Sequence, residues 1–250
     1  MLLEYNPRAG LPSAQDLPDS DDTPVDNLLQ HLIPMLLEII LDSIWSERID
    51  WFFGVNMGIY YDPEEPAIVP DGFLSLGVSR TSEIGMRPSY VLWEERQVPT
   101  LVLEVVSKTR GGEYSRKKEQ YAQMGVLYYV IYNDLRKRKP KLEVYQLEGN
   151  EYRLLSGDII WFPELQLGIG RAEGKFQGTT REWLYWYDEN GERYPTPDER
   201  TERERQRAEI AEAERDRQQE RAEAAESALQ ELRDRLRQSN IDPDSLLGFG

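Results

Sequence analysis

Six consecutive residues, Leu101-Val102-Leu103-Glu104-Val105-Val106, constrain this chain more than any other stretch. A run this apolar and rich in β-branched residues is a strand covered on both faces, because a half-exposed strand would alternate with polar residues. Alternation along it puts Val102, Glu104 and Val106 on one face and Leu101, Leu103 and Val105 on the other. The lone carboxylate must then be satisfied inside the protein, since burying an unpaired ion costs several kcal/mol or forces protonation. A buried salt bridge and a metal cluster both meet that demand.

The flanking sequence extends the pattern. Residues 109–113, with Gly111 and Gly112, break the strand; residues 114–124 have helical spacing, Gly125 is a stop signal, and residues 127–132 form a second buried strand. Strand, helix, strand implies a right-handed parallel crossover. Upstream, residues 68–76 form another strand in which Pro70 and Gly72 flank Asp71, an irregular position of the kind that carries functional groups. Asp71 and Glu104 at the ends of β-like runs, followed by a helix with lysines, have the layout of a metal-dependent phosphodiesterase. Mg²⁺ takes carboxylate oxygens, and a scissile phosphate needs positive charge close by. Mn²⁺ is the alternative metal. Lys108, Arg110, Arg116, Lys117 and Lys118 cluster around this point, and the basic loop 136–141 extends the patch.

Around that centre the chain divides into three parts. Residues 1–24, with the acidic run Asp19-Ser20-Asp21-Asp22, bury little and form a flexible segment. Residues 25–194 form the globular domain. It opens with a core helix over residues 25–48, in which Glu38 and Asp42 share a face with His31 and Met35, followed by a strand over residues 51–61. A short strand is expected near residues 90–93, and a hairpin joins residues 142–146 to residues 152–155. Further strand-like segments lie at residues 159–161, 165–169 and 183–187. Residues 195–250 form a charged tail, helical over residues 198–238, with a weak coiled-coil seam at Leu229, Leu232 and Leu236. The tail is an oligomerisation or spacing arm, with a homodimer the favoured assembly.

Composition excludes several classes of protein. With Cys 0 and His 1, neither a disulfide framework nor a thiolate or multi-histidine metal site is available. The most apolar stretch, residues 32–45, contains Pro34, Glu38 and Asp42 and is too short and too charged to span a bilayer. No secretion signal opens the sequence, so a cytoplasmic protein is expected. A net charge of −16 argues against coating nucleic acid electrostatically, and it leaves catalysis open only where positive charge is local.

Taken together, Pro70-Asp71, Glu104-Val105-Val106-Ser107, and Lys117 followed by Tyr121, Gly125 and Val126 resemble the PD-(D/E)XK nuclease superfamily. Within it they resemble the Uma2 family of restriction endonucleases. The resemblance covers about residues 25–187. It implies an α/β fold, a restriction-endonuclease-like mixed sheet core flanked by helices with the long C-terminal helix appended. It also implies a Mg²⁺-dependent endonuclease acting on nucleic acid, most of all DNA. The superfamily's lysine two residues after the acid is absent, because that position is Val106. In the Uma2 family the lysine has moved into the next helix, which assigns the role to Lys117, with Lys118 as the alternative. By the same resemblance the Val105 carbonyl joins Asp71 and Glu104 as a metal ligand, and Glu38 or Gln30 takes the place of an additional acid on the first helix. The competing reading is a catalytically inactive protein that keeps the nuclease fold and binds partners through its C-terminal helix.

Overall fold

A computed structural model of the protein describes residues 10–18, 27–81, 87–108, 112–135 and 137–239. It divides into two compact units, Met1–Thr196 and Pro197–Gly250. The first unit opens with helix α1 (Leu28–Ile44). Asn27 caps it by accepting from the Leu29 and Gln30 amides, while the Gln30 side chain returns to the Asn27 amide, so the helix begins later than residue 25.

Next come β1 (Trp51–Val55), β2 (Ile59–Tyr60), β3 (Gly72–Leu76), β4 (Tyr90–Val91) and the short helix α2 (Leu92–Glu95). The strand expected over residues 51–61 is therefore two strands, broken where Asn56 adopts a positive φ of 48°. The strand expected to begin at residue 68 begins at Gly72, which leaves Asp71 at its entry. Then follow β5 (Leu101–Val105), α3 (Arg116–Met124) and β6 (Tyr128–Tyr132), with Gly125 ending α3 at φ 88°. The unit finishes with β7 (Leu142–Glu148), β8 (Glu151–Leu155), β9 (Ile159–Phe162), β10 (Leu167–Phe176) and β11 (Thr179–Tyr187).

The main sheet has the order β1-β3-β5-β6-β7-β8, with β5 and β6 parallel and the other neighbours antiparallel. The expected alternation of β5 holds. Leu101, Leu103 and Val105 join a core with α1 and with the sheet β11-β10-β9, where the Trp186 indole donates to the Leu37 carbonyl at 3.0 Å. Val102 and Val106 join a second core with Tyr121 of α3 and Tyr90 of β4.

Residues 10–18 depart from the flexible segment expected over residues 1–24. Ala14 is buried, the Trp93 indole donates to the Pro12 carbonyl, and the Tyr60 hydroxyl donates to the Pro18 carbonyl. Aromatic donors on α2 and β2 give this stretch partners that its composition does not announce. The rest of residues 1–24 lies outside the described residues.

In the second unit the described residues form one helix, α4 (Pro197–Gln238), about 63 Å long, with no buried residue. Its ion pairs lie along its own surface, Glu202 with Arg205, Arg205 with Glu209 and Asp234 with Arg237. Among the described residues no helix is long and apolar enough to cross a membrane.

Candidate active site

Strand register brings the two acids together. Gly72 pairs with Leu103, Phe73 with Val102 and Leu74 with Leu101, so the next position of the same antiparallel register sets Asp71 opposite Glu104. Residues directly opposite in an antiparallel pair project from the same face. The ladder ends there, because the Val105 amide donates to the Asp71 carboxylate, Oδ2, at 2.5 Å. Asp71 Oδ1 accepts no hydrogen bond among the described residues, although Asp71 is only 7% exposed.

Gly72 makes this approach possible. A Cβ there would lie 2.8 Å from the Pro34 Cβ of α1, so only glycine lets the start of β3 pass so close under the helix.

Helix α3 closes the site. Lys117 and Tyr121 are four residues apart and share a helix face. The Lys117 ammonium donates to both Glu104 oxygens at 2.9 Å and to the Val69 carbonyl at 3.0 Å. The Tyr121 hydroxyl donates to Glu104 Oε1 at 2.7 Å. Glu104 is 2% exposed and paired with Lys117, so the salt bridge, one of the two ways open to satisfy a carboxylate in this strand, is present.

Two buried carboxyl groups and one half-buried ammonium meet here. Burial, then the Glu104 charge, pushes the Asp71 carboxyl well above its ordinary range. Burial also raises Glu104, against the opposing pull of Lys117. Burial works to lower the Lys117 pKa, but the facing carboxylates outweigh it and the net direction is upward. Lys117 is therefore a charged donor, not a general base. Burial, followed by the Glu104 charge, keeps the Tyr121 hydroxyl protonated as a donor.

Of the residues singled out in the sequence, Asp71, Glu104 and Lys117 meet, with the Val105 backbone beside them. Lys118 does not: its ammonium lies 3.4 Å from the centre of the Tyr145 ring. Lys108 is exposed, and Arg110 and Arg136 lie outside the described residues. Two described cations of the 136–141 loop are engaged locally, Lys139 against the Tyr114 ring and Lys141 paired to Glu182. Gln30 serves the α1 cap, and the charged neighbours of half-buried Glu38 are Arg80 and Asp42.

The further acid whose charge bears on Asp71, Glu104 and Lys117 is Glu113, buried just before α3. Its position four residues ahead of Lys117 was the available sequence signal. Tyr121 was visible only as a landmark of the resemblance; its spacing from Lys117 was the signal for its contact with Glu104. Among the described residues no group of three or more His, Cys, Asp or Glu is gathered closely enough to hold a metal by itself.

A six-stranded mixed sheet with flanking helices, carrying a buried acid pair under a lysine-bearing helix, defines a restriction-endonuclease-like protein. Residues 24–169 match the family model described as "Uma2: Putative restriction endonuclease". The chain belongs to that family, consistent with the PD-(D/E)XK superfamily, and is nuclease-like on that basis. No curated protein matches the chain.

Proposed function

We propose that the protein is a Mg²⁺-dependent endonuclease that hydrolyses phosphodiester bonds in nucleic acid, DNA foremost, with Asp71, Glu104 and Lys117 as its reacting groups and Mn²⁺ as a substitute metal. The observation that carries this reading is the cross-strand juxtaposition of two buried carboxylates with one lysine between them and the cleft. The donor set suits a hard cation. Asp71 Oδ1 is without a hydrogen-bond partner among the described residues, and the ligands on offer are all oxygens. Two buried carboxyl groups facing a single ammonium are the electrostatic counterpart of that fit.

Asp71 and Glu104 would hold the ion. The Val105 carbonyl is a further candidate, since a strand residue directs its amide and carbonyl to the same edge and the Val105 amide already points to Asp71. A divalent ion bound there supplies Lewis acidity and a water of lowered pKa. Lys117, held protonated, offsets charge near the phosphate as the water oxygen bonds to phosphorus and the bond from phosphorus to the leaving sugar oxygen breaks. Tyr121 fixes the Glu104 carboxylate from the other side; the attacking water gives up a proton to solvent, and the departing oxygen takes one up from solvent.

Plasmid and single-strand cleavage assays in Mg²⁺, Mn²⁺ and chelator test this reading. Asp71→Ala and Glu104→Ala are expected to lower cleavage at least about 100-fold, the equivalent of about 3 kcal/mol in the barrier. Cleavage by both variants at the wild-type rate sinks the assignment.

A second reading is favoured by one observation: α4 leaves Leu229 and Leu232 half exposed on a helix with no buried residue. In it the tail assembles copies of the chain, alongside or in place of catalysis.

A further inference from the structure

Helix α3 turns different stripes to different neighbours. Lys117 and Tyr121 face Glu104. Arg116 and Gln120 each stand one position earlier, rotated by about 100°, and line a narrow cleft against residues 66–69. Lys117 lines the same cleft, as does Val69, whose carbonyl accepts from the lysine ammonium. Lys117 keeps 19% of its side chain exposed while Glu104 keeps 3%, so the lysine is the layer between the cleft and the acid pair.

The size and lining of this cleft select a ligand. Its volume is about 110 Å³. At about 30 Å³ per water, that accommodates a few waters or one phosphate group, with no space for a nucleoside. Arg116 is exposed and Gln120 half-buried, and neither forms a hydrogen bond or ion pair among the described residues. A guanidinium and a carboxamide around one small opening are donors suited to phosphate oxygens, and the Lys117 ammonium beside them adds positive charge. The opposite wall follows the exposed acids Asp62, Glu64 and Glu65, which oppose further phosphates on that side.

We infer that this cleft is a phosphate subsite, in which Arg116 and Gln120 hold one backbone phosphate of a nucleic-acid strand while its bases remain outside. The inference rests on the nuclease reading and deepens it. Contacts confined to phosphate position a strand without reading its sequence, so the subsite is indifferent to base identity.

Fluorescence anisotropy tests it, with a short labelled DNA strand and the matching duplex as probes. Ca²⁺ replaces Mg²⁺ because it takes the same type of oxygen ligand. Arg116→Ala is expected to weaken binding about 10-fold and to reduce the slope of log affinity against log salt by about 1. Gln120→Ala is expected to weaken it about 3-fold with no change of slope, since no charge is lost. Gln120→Glu, which sets a carboxylate in the cleft, is expected to lose at least about 10-fold. Calorimetric heats for Ca²⁺ alone should match wild type in all three, which separates the subsite from the acid pair.

Unchanged affinity for both probes in Arg116→Ala and Gln120→Glu overturns the inference, as does wild type binding neither probe. Binding that depends on Arg116, combined with no metal-dependent cleavage by wild type, upholds the subsite and removes the reaction. Cleavage that depends on Glu104 but not on Arg116 or Gln120 does the reverse.

Discussion

Replacing Asp71 and replacing Glu104 should move the stability of the metal-free protein in opposite directions. Asp71 is a buried carboxyl whose pKa is raised by burial and by Glu104, so the folded chain holds that proton more tightly than the unfolded chain. Such a group weakens the fold as pH rises from the ordinary carboxylate range through its folded value. Asp71→Asn keeps an acceptor for the Val105 amide and removes the charge. It should raise Tm by about 2–4 °C at neutral pH in chelator, the shift that about 1 kcal/mol gives in a domain of this size. The advantage should shrink as acid protonates Asp71 in the wild type. Glu104→Gln leaves the half-buried Lys117 ammonium without its partner and should cost about 3 kcal/mol or more. Thermal melts against pH check both; a destabilised Asp71→Asn would mean that the Asp71 charge is already compensated.

The elements that deliver these residues differ in how plainly the sequence announces them. The faces of β5 were legible because a two-residue period within an apolar run permits one assignment of Glu104. The Lys117 alternative was not settled by sequence, since Lys117 and Lys118 differ only in which way α3 is rotated; the contacts with Glu104 and with the Tyr145 ring settle the geometry. Glu113 was hidden in what looked like a simple chain break. The full length of β10 and β11 was also hidden, because Gly168, Gly170 and Gly174 and the exposed residues 179–180 blur the strand period that their pairing restores. One element-scale prediction concerns the passage of β3 beneath α1. Gly72→Ala forces a Cβ onto Pro34 and should cost about 1–3 kcal/mol of stability in urea unfolding. It should weaken metal binding too, by shifting Asp71. A neutral Gly72→Ala would mean that α1 yields at no cost.

At the scale of the whole molecule, an acidic chain and a nucleic-acid substrate are compatible only if charge is arranged locally. The net charge of −16 is spread over both units, while Arg116 and Lys117 sit together at the cleft. Association with nucleic acid should therefore be weak, with a shallow salt dependence set by the few cations that reach phosphate. Along the described part of the tail, Glu202, Arg205, Glu209, Asp234 and Arg237 pair on the helix's own surface, and charges of alternating sign make a poor phosphate groove. The proposed assembly of copies through exposed Leu229 and Leu232 has its own test. Leu229→Asp combined with Leu232→Asp should lower the native mass in light scattering to that of a monomer without altering the thermal transition of the first unit; an unchanged mass would mean that these leucines assemble nothing.

The central claim is that Asp71 and Glu104 together hold a divalent cation, and calorimetric titration of Mg²⁺ and Mn²⁺ tests it without requiring a guess about substrate. Wild type should give a saturable heat that Asp71→Asn abolishes. Because that variant is expected to be more stable than wild type, the loss could not be ascribed to unfolding. No heat from wild type at millimolar metal, or the same heat from Asp71→Asn, would contradict the claim.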